Sequence, residues 1–311
     1  MSELRFDGRT VIVTGAGRGV GRSHALLFAQ RGAQVVVADL GGDLDGSGTS
    51  TGPADDVVAE IKSQGGEAVA CYASVSEESG ASSIIEAAMD SFGRIDVVVN
   101  NAGIAAPLDW IENLTPADYR RMVEVHHLGT VYVTKAAWPH LMAAGYGRIV
   151  NTTSEGLLGM VPKNSSYGSA KGAVLGFTRA VALDASRFGI QVNAVIPRAQ
   201  TRMSTAEILA HVYDAPPEAF GATMPQFAAE YVSPAAVYLA HESCQLNGEL
   251  LVAGGGQVMR LALMETGGFT SEHLTPEVVA EHIDQILDME SAQLITVGVL
   301  RTEDSETSMP A

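Results

Sequence analysis

Short apolar runs rich in Val and Ile alternate with helical patterns through the first two thirds of the chain. The runs lie at 11–13, 34–39, 68–73, 95–100, 148–152 and 191–196. Helical spacing of the apolar positions occurs between them, at 22–31, 53–64, 80–92, 118–141 and 166–188. This alternation predicts an α/β fold in which parallel strands form one sheet and helices cover both of its faces.

The alternation becomes irregular after the sixth of these strands. Residues 199–231 contain apolar side chains without a clear period, and we expect this segment to form a lid over a hydrophobic substrate. A helix at 233–241 and a last strand at 249–253 follow, and Thr275-Pro276 begins a further helix with one apolar face. The polar, glycine-rich stretch 41–52 is expected to be a mobile surface loop.

Neither an internal repeat nor a linker divides the chain, so the sequence predicts a single domain over residues 1–300. The expected core spans 5–256, and a helical extension is expected over 257–300. Residues 301–311 are polar, and we expect them to form a disordered tail.

Charge and composition restrict the possible partners. The net charge of −17 repels nucleic acid and anionic lipid, so no nucleic-acid partner is expected. Each apolar run is far shorter than the roughly 18 residues of a membrane-spanning helix, so no membrane span is expected. The N-terminus lacks the apolar core of a signal peptide, and the final Met-Pro-Ala is not a peroxisomal address, so we expect a cytoplasmic location.

The two cysteines, Cys71 and Cys244, cannot form a disulfide framework, and neither has a neighbour at metal-ligand spacing. We expect both to be reduced thiols. The histidines are also scattered without ligand spacing, so no metal site is expected.

A glycine-rich turn follows the first strand and opens onto the first helix. The stretch Thr14–Gly21 has the pattern T-G-x-x-x-G-x-G, with glycines at 15, 17, 19 and 21. It does not meet the dinucleotide pattern G-x-G-x-x-G in any register. Glycines allow a pyrophosphate to approach the backbone, and a helix N-terminus attracts the anion. Such a turn alone is a weak signal, because glycines also end strands for conformational reasons.

Polar residues end two further strands. Asp39 ends the second strand about 20 residues beyond the glycines, where a carboxylate can accept both ribose hydroxyls of an adenosine. Asn100-Asn101-Ala102-Gly103 ends the fourth strand, at the sheet edge where ligands bind. The alternative interpretations are a solvated Asp and a simple Asn-rich turn.

Tyr167 and Lys171 are four residues apart on a predicted helix, so they lie on one face. An ammonium beside a phenol lowers the phenol pKa, which an acid–base role at neutral pH requires. Ser154, at the end of a strand, can reach the same place and hold the oxygen of a substrate. Each residue alone is more often structural, since Y-x-x-x-K also occurs by chance on helix surfaces.

Together these motifs resemble those of the short-chain dehydrogenase/reductase family over essentially the first 255 residues. The matching elements are Thr14–Gly21, Asn100–Gly103, Ser154, Tyr167–Lys171, and Pro197 with Thr201. The resemblance implies a Rossmann-type doubly wound parallel sheet and a nicotinamide cofactor that exchanges hydride with a secondary alcohol or ketone. It implies catalytic roles for Ser154, Tyr167, Lys171 and His126. The cofactor-binding residues it implies are Gly15, Gly17, Arg18, Gly19, Val20, Gly21, Asp39, Ser74, Val75, Asn101, Ala102, Gly103, Tyr167, Lys171, Pro197 and Thr201.

Several further stretches resemble one branch of this family, the (3R)-hydroxyacyl-CoA dehydrogenase units of multifunctional enzymes of type 2, also described as 17β-hydroxysteroid dehydrogenases. They are Asp39–Asp43, Gly93–Val99, Lys135–Trp138, His241–Cys244 and Thr275–Glu277. The branch implies oxidation of a (3R)-3-hydroxyacyl-CoA to the 3-ketoacyl-CoA. A 17β-hydroxysteroid or another lipophilic alcohol is the alternative substrate, and a non-catalytic nucleotide-binding sensor is the alternative function.

Three residues depart from the general family pattern. His126 stands where most members have the Asn of a catalytic tetrad, Ser74 replaces an Asp that usually touches adenine, and Arg198 replaces the glycine after Pro197. The neighbouring His127 is interpreted as a packed or surface helix residue.

Charged residues lead to two further expectations. Asp39 favours NAD over NADP, with Arg18 acting in the opposite direction. A CoA substrate requires a basic cluster, and the candidates are Lys163, Arg198, Arg202 and Arg260. The family also implies a homodimer or homotetramer, and the small-residue face formed by Gly168, Gly172, Ala173 and Gly176 is the candidate contact.

Overall fold

Eight strands form one sheet in the computed structural model, which describes residues 3–105, 107–220, 227–302 and 305–308. The strands are β1 (Thr10–Thr14), β2 (Gln34–Ala38), β3 (Glu67–Cys71), β4 (Val97–Asn100), β5 (Gly147–Thr152), β6 (Ile190–Pro197), β7 (Leu250–Gly254) and β8 (Gln257–Leu261). Their order in the sheet is β3-β2-β1-β4-β5-β6-β7-β8. The strands from β3 to β7 pair in parallel, and β8 pairs antiparallel with β7 at the edge. The α/β fold with a Rossmann-type sheet predicted from the sequence is confirmed.

Helices cover both faces of this sheet. They are α1 (Gly19–Gln30), α2 (Gly52–Ser63), α3 (Glu78–Phe92), α4 (Pro116–Met122), α5 (Gly129–Ala144), α6 (Ser165–Ala185), α7 (Ala206–Tyr213) and α8 (Ser233–Ala240). The side chains of β1 alternate between two apolar clusters. Val11 and Val13 pack with α1, α2 and α8, whereas Ile12 packs with α3, α5 and α6. Because strand side chains point to opposite faces in turn, one fully buried strand contributes to both cores.

The order of the strands reverses between β1 and β4, since the chain moves outward to β3 before it returns beside β1. In open parallel sheets, ligands bind beyond the carboxyl ends of the strands at such a point. This edge is therefore where the fold places a binding cleft.

A π-helical turn interrupts the helix predicted over 118–141. Residues Val123–Leu128 form this turn between α4 and α5, which continue it on either side. The turn carries His126 and His127. Because π-helical turns are rare and frequently occur at functional sites, the turn favours a functional role for this part of the chain.

The stretch 41–52, expected to be a mobile loop, has a defined path on the protein. The Asp43 amide donates to the Ser47 carbonyl oxygen at 2.8 Å, and the Ser50 amide donates to that of Leu40 at 3.0 Å. The Ala105 amide also donates to the Leu44 carbonyl oxygen at 2.9 Å. Gly, Asp and Ser stabilise turns through their own backbone and side chains, so a polar composition does not exclude a fixed conformation.

The segment 199–231 also has more structure than its weak periodicity predicts. Thr205 caps α7, because its hydroxyl accepts from the Ile208 amide. Residues 221–226 of the expected lid lie outside the described residues.

The C-terminal extension is helical only in part. After β8 it forms a small antiparallel pair, β9 (Met264–Glu265) with β10 (Gln293–Leu294), and two short helices, α9 (Pro276–Glu281) and α10 (Ile283–Ile286). The predicted helix start is confirmed by Thr275, whose hydroxyl accepts from the Val278 amide. Where a disordered tail was expected, the described residues pair as β11 (Val299–Thr302) with β12 (Ser305–Ser308), since Val and Thr favour extended backbone. Residues 303, 304 and 309–311 lie outside the described residues.

Candidate active site

A cavity of about 560 Å³ opens at the carboxyl edge of the sheet. This volume lies in the range of cofactor and substrate pockets. Its walls contain the residues predicted from the sequence, namely Gly15, Arg18, Gly19, Val20, Gly21, Asp39, Ser74, Val75, Asn101, Ala102, Gly103, His126, Ser154, Tyr167, Lys171, Pro197 and Thr201. The remaining predicted residue, Gly17, contacts the cavity wall from outside, because its amide donates to the Asp39 carboxylate. The fold thus brings the predicted cofactor residues and the predicted catalytic residues to one cavity.

The glycine turn is tight enough to exclude side chains. A Cβ on Gly21 would lie 2.1 Å from the Gly15 carbonyl oxygen, and one on Gly15 would lie 2.7 Å from the Cα of Ala102. The turn leads directly into the 12-residue helix α1, whose first amides have no partner within the helix. These residues fit the pyrophosphate of a dinucleotide, because bare backbone and a helix N-terminus converge on the cavity.

The carboxylate of Asp39 is fixed at the end of β2. Its Oδ2 accepts from the Gly17 amide and its Oδ1 from the Gly41 amide, each at 2.7 Å. A Cβ on Gly17 would lie 2.9 Å from Oδ2, so this bond requires glycine. The negative charge is therefore held at the place predicted for an adenosine ribose.

Asn101 joins the ends of β1 and β4. Its side-chain amide donates to the carbonyl oxygens of Thr14 and Gly15, at 2.9 and 3.1 Å. The Thr14 hydroxyl accepts from the amides of Asn101 and Ala102. The Asn-rich stretch therefore braces the glycine turn rather than forming an isolated turn.

Ser154, Tyr167 and Lys171 lie together beyond β5. The Ser154 hydroxyl accepts from the Gly156 amide at 3.1 Å, and Lys171 donates to the Thr152 carbonyl oxygen at 2.7 Å. The Lys171 Nζ lies 5.7 Å from the centroid of the Tyr167 ring. Residues four apart on α6 thus face one strand end, as the helical spacing predicts.

Burial favours the uncharged forms of both titratable groups. It lowers the pKa of Lys171 to about 7. It raises the pKa of Tyr167, and a hydrogen bond from Ser154 acts in the opposite direction. Desolvation is the largest cause in each case, so the charged pair of ammonium and phenolate needs further stabilisation to form.

His126 lies beside Tyr167 with its ring nearly perpendicular, at a centroid separation of 5.1 Å and an interplanar angle of 86°. Its Nε2 lies 2.8 Å from the carbonyl oxygen of Ile104, and its Nδ1 is buried without a hydrogen-bond partner among the described residues. The Ile104 amide also lies 3.2 Å from this Nε2, and we assign the proton to Nε2 because the contact with the carbonyl oxygen is the shorter of the two. Burial, and to a smaller extent Lys171, hold the His126 pKa well below 6.5, so the ring is neutral.

Comparison with known proteins identifies the family. Residues 9–209 match the short chain dehydrogenase family. The chain belongs to this family. It is accordingly an oxidoreductase that acts on CH–OH groups.

Relatives and solved structures agree with this assignment. The chain is 41% identical to mouse peroxisomal multifunctional enzyme type 2 over 99% of its own length, but it spans only 42% of that relative. A short chain dehydrogenase structure from Mycobacterium avium has a TM-score of 0.76 at 32% identity and covers 93% of this chain and 97% of its own. A structure of 7α-hydroxysteroid dehydrogenase complexed with NADH and 7-oxo glycochenodeoxycholic acid has a TM-score of 0.70 at 29% identity and covers 82% and 98%.

Three of the four basic residues expected to bind CoA are paired with carboxylates in this dehydrogenase. Arg198 forms two hydrogen bonds with Glu155, at 2.7 and 2.6 Å, and Arg260 pairs with Glu249 on the edge strand. Lys163 is buried and pairs with Asp214. These three cations already have carboxylate partners, and none of them lines the cavity.

Arg202 is the member of that set that does line the cavity. Arg202 and Arg18 both donate to the Gly42 carbonyl oxygen, at 3.1 and 3.3 Å. Burial lowers the pKa of Arg202, and repulsion from Arg18 adds to this effect. Both guanidinium groups lie at the Asp39 end of the cavity, near the expected adenosine rather than the expected substrate.

Sequence reasoning missed part of the cavity wall. Gly42, Asp43 and Gly46 line it, although the stretch 41–52 was expected to be a mobile surface loop, and the preceding Leu40 lines it too. Asn164 also lines it and donates to the Gly156 carbonyl oxygen at 3.4 Å. The sequence signal that could have placed residues 40–46 in the cavity wall was their direct continuation from Asp39.

The remaining expectations concern residues outside the cavity. His127 packs against Phe177 at a centroid separation of 6.0 Å, in agreement with its interpretation as a packed residue. Cys71 and Cys244 are buried free thiols. Within the described ranges, no group of three or more His, Cys, Asp or Glu side chains could hold a metal ion, and no helix is long and apolar enough to cross a membrane.

Replacing His126 with Leu is expected to reduce kcat by about 10- to 100-fold, since a buried acceptor beside Tyr167 is lost. His126→Asn should retain more activity, because Asn restores a polar side chain that most family members have there. Steady-state kinetics across pH 6–10 measures both variants. Equal loss in the two variants would contradict a polar role for this position.

Proposed function

We propose that this dehydrogenase uses NAD(H) to interconvert (3R)-3-hydroxyacyl-CoA and 3-ketoacyl-CoA. The proposal depends chiefly on one observation, the convergence of Ser154, Tyr167 and Lys171 on a cavity that continues into apolar walls. Those walls comprise Ile104, Leu108, Val125, Val161, Ile208, Leu209 and Val212. An acyl chain would lie against them, with its 3-oxygen toward the three polar residues. The branch resemblance of the sequence supports the choice of a hydroxyacyl thioester.

The chain's own residues have distinct roles in this proposal. A bound nicotinamide supplies the hydride acceptor or donor. Ser154 donates a hydrogen bond to the substrate oxygen, and Tyr167 transfers the proton at its phenolic oxygen. Lys171, held by the Thr152 carbonyl oxygen, stabilises the phenolate by its charge. The bare Nδ1 of His126 accepts a hydrogen bond inside the cavity.

We further propose NAD as the preferred cofactor, because Asp39 would repel a 2′-phosphate. NADH in the related 7α-hydroxysteroid dehydrogenase structure supports a nicotinamide cofactor. Arg18 and Arg202 lie nearby and reduce the repulsion.

The cofactor prediction is that kcat/KM is higher with NAD than with NADP, and that Asp39→Ala lowers this preference about 10- to 100-fold, the effect of removing one close like charge. Asp56→Ala, at an exposed position of α2, is the matched control. A preference for NADP in the unaltered enzyme would refute this prediction.

A lipophilic alcohol without CoA, such as a 17β-hydroxysteroid, is the second candidate substrate. It is favoured by the ion pairs of Lys163, Arg198 and Arg260, because three of the four basic residues expected to bind CoA already have carboxylate partners in this strongly acidic protein. The apolar walls described above suit either substrate.

Measuring kcat/KM for a (3R)-hydroxyacyl-CoA and for a 17β-hydroxysteroid at two salt concentrations distinguishes these candidates. A kcat/KM for the thioester that falls as the salt concentration rises supports the first candidate, because salt screens the attraction between the CoA phosphates and basic residues of the enzyme. Turnover of the steroid alone, nearly independent of salt, supports the second. Turnover of neither, or of the (3S) thioester alone, contradicts the first proposal, and NADH binding without turnover of any alcohol would indicate a nucleotide-binding sensor.

Assembly and location are also proposals. We propose a homodimer or homotetramer in which Gly172 and Gly176 lie in the contact, because a Cβ on either would meet nothing within 4 Å. Light scattering of Gly172→Leu would then show dissociation with the fold retained. We propose a cytoplasmic location, whereas the mouse relative is named as peroxisomal, and cell fractionation decides between the two.

A further inference from the structure

Helix α7 forms one wall of the cavity. Ile208, Leu209 and Val212 on this helix line the cavity, together with Tyr213 at its last position. The helix has eight residues and belongs to the segment expected to act as a lid. A helix this short depends on contacts with the rest of the protein for its position.

Lys163 supplies two of those contacts from the loop that precedes α6. Its ammonium donates to the His211 carbonyl oxygen at 2.7 Å and pairs with the Asp214 carboxylate. The lysine is 7% exposed, whereas the Asp214 side chain is 68% exposed. Because the last four carbonyl groups of a helix have no partner within the helix, Lys163 acts as a C-terminal cap from a distant part of the chain.

The backbone at both ends of this contact is in the left-handed region. Lys163 has φ 54° and Asp214 has φ 50°, and they are the two non-glycine residues with positive φ among those described. Such conformations persist where the surrounding structure enforces them, and they cluster at ligand clamps and switch regions. The two residues are 51 positions apart in sequence and hold each other.

A second contact secures the same end of α7. The Nε2 of His211 lies 2.7 Å from the Leu108 carbonyl oxygen, and Leu108 itself lines the cavity. Lys163 also lies 5.7 Å from the ring centroid of Trp110 in that loop. Three segments around the cavity, near 108–110, 163 and 211–214, therefore meet at one buried ammonium.

We infer that Lys163 is a positioning residue that holds α7 closed over the apolar end of the cavity and so determines which substrates the enzyme accepts. With Lys163 in place, Ile208 and Val212 present a fixed apolar wall, and a substrate is selected by how its apolar part fits that wall. Lys163 lies four residues before Tyr167, so the contact also fixes the distance between this wall and the reacting groups. The selection of substrate rests on the proposed function, whereas the closure of α7 does not.

The first experiment measures closure alone. Hydrogen–deuterium exchange of the α7 amides in the full chain without substrate is expected to be about 10- to 100-fold faster in Lys163→Met, the range for loss of a hydrogen bond to a charged group. Asp214→Asn should give a smaller change in the same direction, because it removes only the charge of the exposed partner and keeps the Lys163 ammonium. The exposed Lys135→Met on α5 is the matched control.

The second experiment measures selection. The ratio of kcat/KM for a long-chain to that for a short-chain secondary alcohol is expected to fall about tenfold in Lys163→Met, mainly through KM for the long chain. Lys163→Arg should restore part of the ratio, since it keeps the charge.

The outcomes separate the inference from the proposed function. Exchange in α7 that is equal in Lys163→Met, Asp214→Asn and the control would overturn the inference. Faster α7 exchange in Lys163→Met with an unchanged kcat/KM ratio for the long-chain and short-chain alcohols would also overturn it, because the contact would then be structural only. Faster exchange in Lys163→Met, together with an unaltered enzyme that turns over no alcohol, would support closure and refute the proposed function instead.

Discussion

Tyr167→Phe is expected to reduce kcat for alcohol oxidation by at least about 10²- to 10⁴-fold, the contribution typical of one positioned acid–base group. Affinity for NADH should remain within about threefold, because the phenol acts on the substrate oxygen. The substitution removes one oxygen atom and keeps the ring against His126 at 5.1 Å, so the fold should be retained. Single-turnover kinetics and NADH fluorescence measure the two effects.

Tyr238→Phe is a matched control, because this tyrosine is on α8 and outside the cavity. It should leave both kcat and NADH affinity unchanged. A Tyr167→Phe enzyme with kcat near that of the unaltered protein would contradict the proposed mechanism.

Lys171→Met is expected to impair both turnover and cofactor binding. The side chain keeps most of its length but loses the donor to Thr152 and the charge beside the phenol. We expect kcat to fall by about 10²- to 10⁴-fold and NADH affinity by about 10- to 100-fold. Without the ammonium the phenolate is less stable, so the rise of oxidation rate with pH should move to higher pH. Lys62→Met, exposed in the last turn of α2, is the control.

Stability provides a second measurement of Lys171. Burial lowers its pKa from 10.5 to about 7, so between these values the unfolded chain binds more protons than the folded protein. The free energy of unfolding of the unaltered protein should therefore rise with pH from about 7 to 10.5, and this contribution should be absent in Lys171→Met. Urea unfolding without cofactor at pH 6.5 and pH 9.5 measures the difference. An equal pH dependence in both proteins would show that Lys171 is not titrating as a buried group.

The sequence predicts those parts of the fold that depend on local patterns. The strand runs and their alternation locate the carboxyl edge of the sheet, and the polar residues that end those strands, such as Asp39 and Ser154, meet in one cavity for this reason. Composition was a poor guide where hydrogen bonds decide the local structure. The stretch 41–52 is polar, but its backbone has a defined conformation because it forms hydrogen bonds within the stretch and with Ala105.

The basic residues illustrate a second limit of sequence reasoning. Arg198 and Glu155 are 43 positions apart, and Lys163 and Asp214 are 51 apart. A sequence shows the charge of each residue but not its partner, so it did not reveal that three of the four basic residues predicted to bind CoA are paired with carboxylates. Pairing of this kind depends on which loops meet, and the tertiary fold determines that.

The π-helical turn at Val123–Leu128 has a consequence for evolution and engineering of this enzyme. Such a turn contains one residue more than the α-helical turn that would replace it. Deleting one residue there would convert α4 and α5 into a continuous α-helix, which the helical register on either side can accommodate. Because the turn accommodates the extra residue locally, α4 and α5 would keep their faces after the deletion, and the side chains within the turn would change direction by up to the roughly 100° that one residue advances an α-helix. His126, which lies inside the turn, would then no longer face the cavity beside Tyr167. A single-codon deletion could therefore leave a folded protein while it separates the acceptor beside Tyr167 from the active site.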